Sequence, residues 1–319
     1  MVEAGAGLMQ LEFEHDGFCP CCRADTVFEV AREWLRDGYI CRRCGSIPRL
    51  RHIQTVLDER FPGWENLTIH ESSPSSNFIE RYALHYSGSQ YFRGRVSGDF
   101  VDGVRCEDIE NLSFADESID LFITQDVLEH VFDPAAAVRE VHRVLRPGGA
   151  HIFTTPKHKD LLQTRQRATR TADGDTQYLL EAEYHGSPVG DHRILVTYDY
   201  GYDFERLLSG WAGGTVETLT TTDRARGLDA EFNEVFIIAK APAPTPYRLA
   251  KLHGDNLNEV LAAQQLQIHT AELEAHDRDE QNAVLRHTIH DFETSTSWRI
   301  TAPIRTTLQQ LRTLRTRTR

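Results

Sequence analysis

The stretch that decides the fold runs from Val104 to Pro156: VRCEDIENLSFADESIDLFITQDVLEHVFDPAAAVREVHRVLRPGGAHIFTTP. Apolar runs at 119–124 and 150–154 predict two buried strands. Between them, Asp133 is placed to cap a helix that carries Pro134 in its first turn and ends near Pro147. Strand, helix and strand in this order are typical of a parallel sheet covered by helices.

The same alternation extends through residues 66–240, with a long insertion between the strand at 150–154 and Tyr200. Apolar residues at helical spacing also predict a helix from about residue 50 to Phe61, before Pro62. The sequence therefore predicts an α/β sheet with helices on both faces. Helices are predicted over 76–86 and 203–210, and the remaining strands over 67–71, 89–93, 103–107, 215–221 and 234–240.

Four ordered motifs carry a resemblance to a known family: Asp108–Phe114, Ser118–Leu121, Leu128–Val131 and Val144–Gly149. Over about residues 66–240 the chain resembles the class I S-adenosylmethionine-dependent methyltransferases, specifically their type 11 family. A subgroup of that family also carries an N-terminal zinc ribbon. The resemblance implies a Rossmann-like sheet, S-adenosylmethionine as cofactor and methyl transfer as activity.

Carried over residue by residue, the resemblance implies a cofactor site at the carboxyl ends of the strands. Glu71 matches the acid near the methionine ammonium of the cofactor, and Asp108 with Ile109 matches the position beside the adenine. Thr124 and Gln125 follow strand 119–124, where ligands of open α/β sheets bind.

Two departures from the family pattern concern the same site. Ser72, Ser73, Ser75 and Ser76 occupy the turn where the family carries glycines that let the backbone approach the cofactor. Their hydroxyls can donate to the cofactor carboxylate. Gln90 stands where the family places an acid that grips the ribose, so weaker cofactor binding is expected.

An alcohol acceptor requires a base, because its proton must leave as the methyl group arrives. The candidates are His158 and His185 in the insertion, together with Asp126 after strand 119–124. His185 is favoured because Gly186 and Pro188 indicate a shaped loop. His130 is expected to be a packing or cofactor-edge residue.

Two C-x2-C pairs, Cys19/Cys22 and Cys41/Cys44, are separated by 18 residues, which is the spacing of a zinc ribbon. Each pair places two thiolates on one turn, and both together complete a tetrahedral site. Four protein ligands leave no open position on the metal, so the expected Zn²⁺ is structural. Cys21 is expected to be the spare cysteine.

The net charge of −13 is unevenly spread along the chain. Residues 298–319 contain six arginines and no acid, which leaves −19 on residues 1–297. An acidic body repels polyphosphate, so nucleic acid is a disfavoured partner. The absence of a secretory signal and of an apolar run of about 18 residues predicts a cytoplasmic protein.

The basic C-terminal segment predicts an amphipathic helix that binds a membrane surface or a partner protein. Within it, Ser297–Arg305 resembles a short motif of bacterial surface-polysaccharide glycosyltransferases and their partners. The helix before it has an interrupted heptad pattern, which makes it an expected site of homo-oligomerisation.

Three functions remain open from the sequence. The favoured one is O-methylation of a sugar or small molecule in surface-glycan biosynthesis. The alternatives are a methyltransferase-fold scaffold with weak or no activity in a glycan-synthesis complex, and an RNA methyltransferase that binds nucleic acid through Arg42, Arg43, Arg49 and Arg51.

The sequence predicts six parts along the chain. They are an extension (1–16), a zinc ribbon (17–50), a methyltransferase domain (51–241), a Pro-rich linker (242–254), a helix (255–293) and a basic tail (294–319).

Overall fold

The computed structural model describes residues 13–30, 34–186 and 193–242. The predicted helix over 255–293, the tail over 294–319 and nearly all of the linker and N-terminal extension lie outside the described residues. The domain boundaries stay predictions. Within the described part, no helix has both the length and the apolar character needed to cross a membrane.

The N-terminal part is an antiparallel sheet of order β1-β2-β3 followed by a helix. Phe28, Tyr39 and the cysteines fill its small core. The predicted helix before Pro62 is confirmed as α2. The elements are β1 (Phe13–Cys19), β2 (Ala24–Val30), α1 (Leu35–Gly38), β3 (Tyr39–Cys41) and α2 (Pro48–Arg60).

The main sheet has the order β16-β17-β9-β8-β4-β5-β7-β6 within the described residues. Strands β9, β8, β4, β5 and β7 run parallel, whereas β16, β17 and β6 pair antiparallel. The elements of its first half are β4 (Thr68–Ser72), β5 (His85–Gln90), β6 (Phe100–Val101), β7 (Val104–Cys106), β8 (Ile119–Gln125), α3 (Pro134–Val144) and β9 (Leu145–Thr154).

The insertion after β9 is built from short antiparallel pairs, and the chain then closes the main sheet. The insertion contains β10 (Arg165–Gln166), β11 (Ala168–Arg170), β12 (Thr176–Tyr178), β13 (Tyr184–Gly186), β14 (Arg193–Leu195) and β15 (Tyr198–Asp199). The closing elements are α4 (Phe204–Ala212), β16 (Val216–Leu219) and β17 (Val235–Ala239).

Both faces of the sheet are covered, as predicted. Alternate residues of β8 point to opposite faces. Leu121 and Ile123 share a buried cluster with α2, whereas Phe122 packs in a second cluster with α3 and α4. The Rossmann-like α/β fold expected from the sequence is therefore the fold observed.

The N-terminus of α3 follows its sequence signal, and the start of β9 lies close to β8. Asp133 caps α3 as predicted, since its carboxylate accepts a hydrogen bond of 2.8 Å from the backbone N–H of Ala136. Gly149 lies so close to β8 that a Cβ there would be 2.6 Å from the carbonyl oxygen of Asp120. Only glycine fits this approach.

The prediction of a helix over residues 76–86 is wrong. Residues 78–82 form successive turns, with backbone bonds such as Arg81 N–H to Asn77 O and Tyr82 N–H to Ile79 O, and residues 85 and 86 already belong to β5. Side chains of serine and asparagine compete for backbone hydrogen bonds at the start of the segment. Its buried residues also pack in different directions, because Phe78 joins the cysteine-rich core and Ile79 the core of the main sheet.

Candidate active site

A cavity of about 580 Å³ opens at the carboxyl ends of β4, β5, β7 and β8. Residues in and next to helices α1 and α2 and residues from the insertion complete its walls. The cavity brings together most of the residues predicted from the sequence. Its predicted members are Ser72, Ser73, Ser75, Gln90, Asp108, Ile109, Gln125, Asp126 and His185.

Two residues at the rim have left-handed backbone conformations without being glycine. Ser73 after β4 has φ 58° and Asp126 after β8 has φ 54°. Non-glycine residues rarely adopt this region, and such strain concentrates at functional sites. Ser73 thus makes the kind of turn for which the family uses glycine, and its N–H bonds Ser89 O at 2.8 Å.

Glu71 lies fully buried at the end of β4, directly before Ser72 in the cavity wall. Its carboxylate accepts bonds from the Tyr86 hydroxyl at 2.9 Å and from Gln125 Nε2 at 2.7 Å. Burial raises the pKa of Glu71 to about 7, against the hydrogen bonds, which lower it. Gln125 Oε1 is buried and has no hydrogen-bond partner among the described residues.

The residues predicted for the ribose and adenine lie on the neighbouring strand ends. Gln90 ends β5, and its amide is 3.5 Å from Pro74 O. Asp108 follows β7, and its carboxylate accepts the Glu110 N–H at 3.0 Å. Both line the cavity with Ile109, so the two strand ends present an amide and a carboxylate side by side.

Asp126 lines the cavity and forms ion pairs with arginines of helices α1 and α2. Its carboxylate pairs with Arg36 at 2.5 Å and with Arg49 at 3.4 Å, and it accepts a bond from Thr154 Oγ1 at 3.0 Å. Burial alone would raise the pKa of Asp126, but the two guanidinium groups outweigh burial and hold that pKa below its usual value. A carboxylate held ionised in this way is a poor proton acceptor.

His185 lies on β13 and lines the cavity beside His130. The two rings are perpendicular, with centroids 5.1 Å apart. Glu129 is buried next to them, and burial raises the pKa of its carboxyl group to about 8. One nitrogen or oxygen atom from each of these three side chains lies within 4.8 Å of the others.

Three predicted residues do not line this cavity: Glu71, Thr124 and His158. Thr124 is buried in β8, where its hydroxyl lies 3.0 Å from His151 Nε2. His158 lines a neighbouring cavity of about 140 Å³ and packs edge-on against Phe232. Of the two histidines proposed as a base, the structure thus brings His185 to the pocket that holds the cofactor candidates.

The cysteines predicted as zinc ligands converge at the end of the N-terminal sheet. The Sγ atoms of Cys19, Cys22, Cys41 and Cys44 all lie within 4.8 Å of one another. Cys21 is buried but is not part of this group. Four thiols at this separation have the donor chemistry and the count of a closed tetrahedral zinc site.

Several cavity residues were missed by sequence reasoning. Trp34, Arg36 and Asp37 come from α1 and the residue before it, and Arg170 comes from the insertion. Their sequence neighbourhood gives no signal of a site, because they reach the cavity through long-range docking. Glu129 was seen only as part of the Leu128–Val131 motif.

Comparison with known proteins identifies a family that is similar to the central part of the chain. A family model described as "Methyltransferase domain" matches residues 69–153, a segment that reaches from β4 into β9 and contains most of the cavity lining. Residues 69–153 therefore match a methyltransferase domain family, as the motifs in this segment indicated.

Similar proteins share short segments with this chain. It is 49% identical over 53 residues to an uncharacterised 37.1 kDa protein in transposon TN4556 of Streptomyces fradiae. It is 40% identical, also over 53 residues, to a Mycolicibacterium smegmatis protein named "Probable S-adenosylmethionine-dependent methyltransferase". Each match covers 17% of this chain, and 15% and 21% of the two relatives.

Among solved structures, an S-adenosylmethionine-dependent methyltransferase from Mesorhizobium loti matches with a TM-score of 0.36 and 18% identity. That match covers 59% of this chain and 96% of the other.

Proposed function

We propose that this protein transfers a methyl group from S-adenosylmethionine to a hydroxyl of a small molecule, a sugar of a surface glycan being the favoured acceptor. The observation that carries the proposal is the cavity at the carboxyl ends of the parallel strands. Most of its lining residues lie within residues 69–153, the segment that matches a methyltransferase domain, and its volume is typical of a small-molecule site.

The polar groups of the cavity fit the cofactor. The unpartnered Gln125 Oε1 can accept a hydrogen bond from the methionine ammonium, which also needs the negative charge of Glu71 nearby. Gln90 can bind the ribose hydroxyls, and Asp108 can accept a bond from the adenine amine. These groups follow β4, β8, β5 and β7, which is the edge where open α/β sheets bind ligands.

The bound cofactor supplies an already activated methyl group, so the protein chiefly has to align the acceptor and receive its proton. His130 and His185 lie on the same cavity as the proposed cofactor groups. We therefore assign the acceptor hydroxyl to the side of His185. Asp126 is better suited to holding the N-terminal sheet in place, because its carboxylate is committed to two arginines.

The RNA alternative loses support from the structure of the N-terminal sheet. Arg49 pairs with Asp37 and Asp126, and Arg51 is fully buried. Arg42 pairs with Glu14 and Glu29. Arginines that are buried or paired with acids within the chain do not form an open basic surface for phosphates.

The glycan as acceptor rests on the sequence of the C-terminal tail, outside the described residues. The short Ser297–Arg305 resemblance supports a role in surface-polysaccharide synthesis. A membrane or glycosyltransferase partner for that tail is part of the same proposal.

We also propose that the four cysteines hold a structural Zn²⁺. The buried Arg51 supports this, because its guanidinium places a positive charge next to the cysteine core, where a zinc tetrathiolate carries net negative charge. The guanidinium donates to the carbonyl oxygens of Tyr39 and Gly227 and is thereby fixed in place.

The function is tested by incubating the protein with methyl-labelled S-adenosylmethionine and a panel of nucleotide sugars and glycan extracts. We expect label in an alkali-stable methyl ether, with loss of activity in Asp108→Ala and full activity in the surface variant Glu217→Gln. Label that is released by mild alkali would indicate a methyl ester and would contradict transfer to a hydroxyl.

A further inference from the structure

We infer that Glu129, His130 and His185 form a second metal site, which binds a divalent first-row transition-metal ion in the wall of the proposed active site. The geometric basis is the convergence of one donor atom from each residue to within 4.8 Å. This site is separate from the cysteine cluster and offers only nitrogen and oxygen ligands.

Glu129 supplies the strongest evidence, because one of its oxygens is buried without a partner. Oε2 accepts a hydrogen bond from Thr155 Oγ1 at 2.9 Å, whereas Oε1 has no hydrogen-bond partner among the described residues. The residue is only 2% exposed. Buried polar atoms are nearly always paired, so an orphan oxygen indicates a missing ligand.

The unpaired Glu129 Oε1 lies near Nε2 of His130. The orientation of that imidazole is fixed by a hydrogen bond of its other nitrogen. His130 Nδ1 lies 2.9 Å from the carbonyl oxygen of Leu195. A carbonyl can only accept, so Nδ1 carries the hydrogen and Nε2 carries the free lone pair. A histidine held by such a bond to a backbone carbonyl is the usual arrangement of a metal ligand.

The spacing is close to that of a coordinated ion. His130 Nε2 and Glu129 Oε1 are 3.8 Å apart. Two ligands of a tetrahedral ion with bonds near 2.1 Å lie roughly 3.4 Å apart. His185 has a half-exposed side chain on β13, so rotation of its ring can close the remaining distance.

The surrounding charges also permit a cation. Arg36 lines the neighbouring cavity together with Glu129 and His185, but its charge is compensated by the 2.5 Å pair with Asp126. Glu183 adds a carboxylate 3.9 Å from His185 Nε2. The carboxylate of Glu129 is thus available to balance the charge of an ion.

Two imidazoles and one carboxylate suit zinc, manganese, iron or cobalt better than calcium or magnesium. Three protein ligands leave a coordination position open, as catalytic metal sites require. Because His130 and His185 line the main cavity, a metal-bound acceptor oxygen would have its pKa lowered there. This role, unlike the metal site itself, rests on the proposed methyl transfer.

Cobalt titration of the full-length protein, with its cysteine cluster left metal-loaded as purified, tests the site. Co²⁺ bound by nitrogen and oxygen gives weak visible bands without the intense thiolate charge-transfer absorption of a cysteine site. We expect one saturable equivalent with the weak bands in wild-type protein. His185→Ala and the isosteric Glu129→Gln should each weaken this binding at least tenfold, whereas the exposed-histidine control His85→Ala should leave it unchanged.

Failure of the inference is distinguishable from failure of the proposed function, because no methyl transfer is measured. No saturable weak-band signal in wild-type protein, or equal cobalt affinity in His185→Ala and Glu129→Gln, would overturn the metal site. His185→Ala replaces a half-exposed side chain and is expected to fold. Circular dichroism of each variant verifies that a lost signal reports the site.

Discussion

The ion pairs that Asp126 forms with Arg36 and Arg49 give the sharpest prediction for the stability of the fold. Asp126→Asn removes the negative charge that Arg36 and Arg49 share in the cavity wall. Asparagine tolerates the left-handed backbone at this position at least as well as aspartate does. Its amide oxygen can still accept the bond from Thr154 Oγ1. The substitution therefore isolates the loss of charge.

The magnitude follows from the burial of the three side chains. Asp126, Arg36 and Arg49 are 15%, 13% and 17% exposed. Removing one partner of a fully buried pair costs about 3–5 kcal/mol. Because some solvent reaches these groups and the amide keeps one acceptor, we expect a loss of about 2–3 kcal/mol of unfolding free energy.

Urea unfolding followed by tryptophan fluorescence measures this loss. Trp34 lines the same cavity and Trp64 is buried in the main core, so both parts of the fold are observed. The matched control is Glu217→Gln, which breaks the exposed Arg60–Glu217 pair and should leave the stability close to that of wild type. A double-mutant cycle with Arg36→Gln then gives the coupling energy between Asp126 and Arg36, apart from the other effects of each substitution.

The pH dependence gives a second check with a fixed sign. Since the folded-state pKa of Asp126 is lowered, its contribution is present above the ordinary aspartate pKa of about 4 and is lost as the pH falls through the folded-state value. The difference between wild type and Asp126→Asn should therefore shrink in acid. A variant within about 0.5 kcal/mol of wild type at pH 7, or a coupling energy near zero, would refute the reasoning.

Three further predictions address other parts of the chain. Protein purified without chelator should contain about one zinc ion per cysteine cluster, and residues 17–50 should unfold when the metal is removed. A zinc content of less than half an equivalent per chain would contradict the structural zinc site. Burial raises the pKa of Glu71 to about 7, so its ionisation destabilises the cofactor-free fold as the pH rises. In urea unfolding, Glu71→Gln should therefore match the stability of wild type below pH 4.5 and exceed it above pH 7 by on the order of 2–3 kcal/mol. A stability difference that is constant with pH would exclude this. Truncation after Glu293 should abolish salt-sensitive co-sedimentation with anionic vesicles, because each arginine near anionic lipid contributes about 1 kcal/mol; equal sedimentation of both forms would leave the tail without a membrane role.

Local patterns predicted the main sheet well, because each strand and helix is encoded by adjacent residues. The Asp133 cap and the strand at Ile119–Gln125 follow from short-range sterics and hydrogen bonding. The helix expected over 76–86 failed because tertiary packing pulls Phe78 and Ile79 to different cores.

The cavity shows the same division between local and long-range information. Gln90 and Asp108 could be predicted from the family resemblance, and Gln125 from its place at the end of the strand predicted over 119–124. The ion pair from Arg36 to Asp126 could not, since it depends on how the N-terminal sheet docks on the main one. The role of Glu129 also became visible only when its unpaired oxygen and the neighbouring His130 were placed together.

Titration calorimetry with S-adenosylhomocysteine tests the central claim most directly, because it reports cofactor binding without knowledge of the acceptor. We predict one site per chain, with binding weakened about tenfold or more in Asp108→Ala, since a lost hydrogen bond to a charged group costs about 1.5–3 kcal/mol. Glu217→Gln should bind like wild type. No heat of binding in wild-type protein, or unchanged affinity in Asp108→Ala, would contradict the proposed cofactor site.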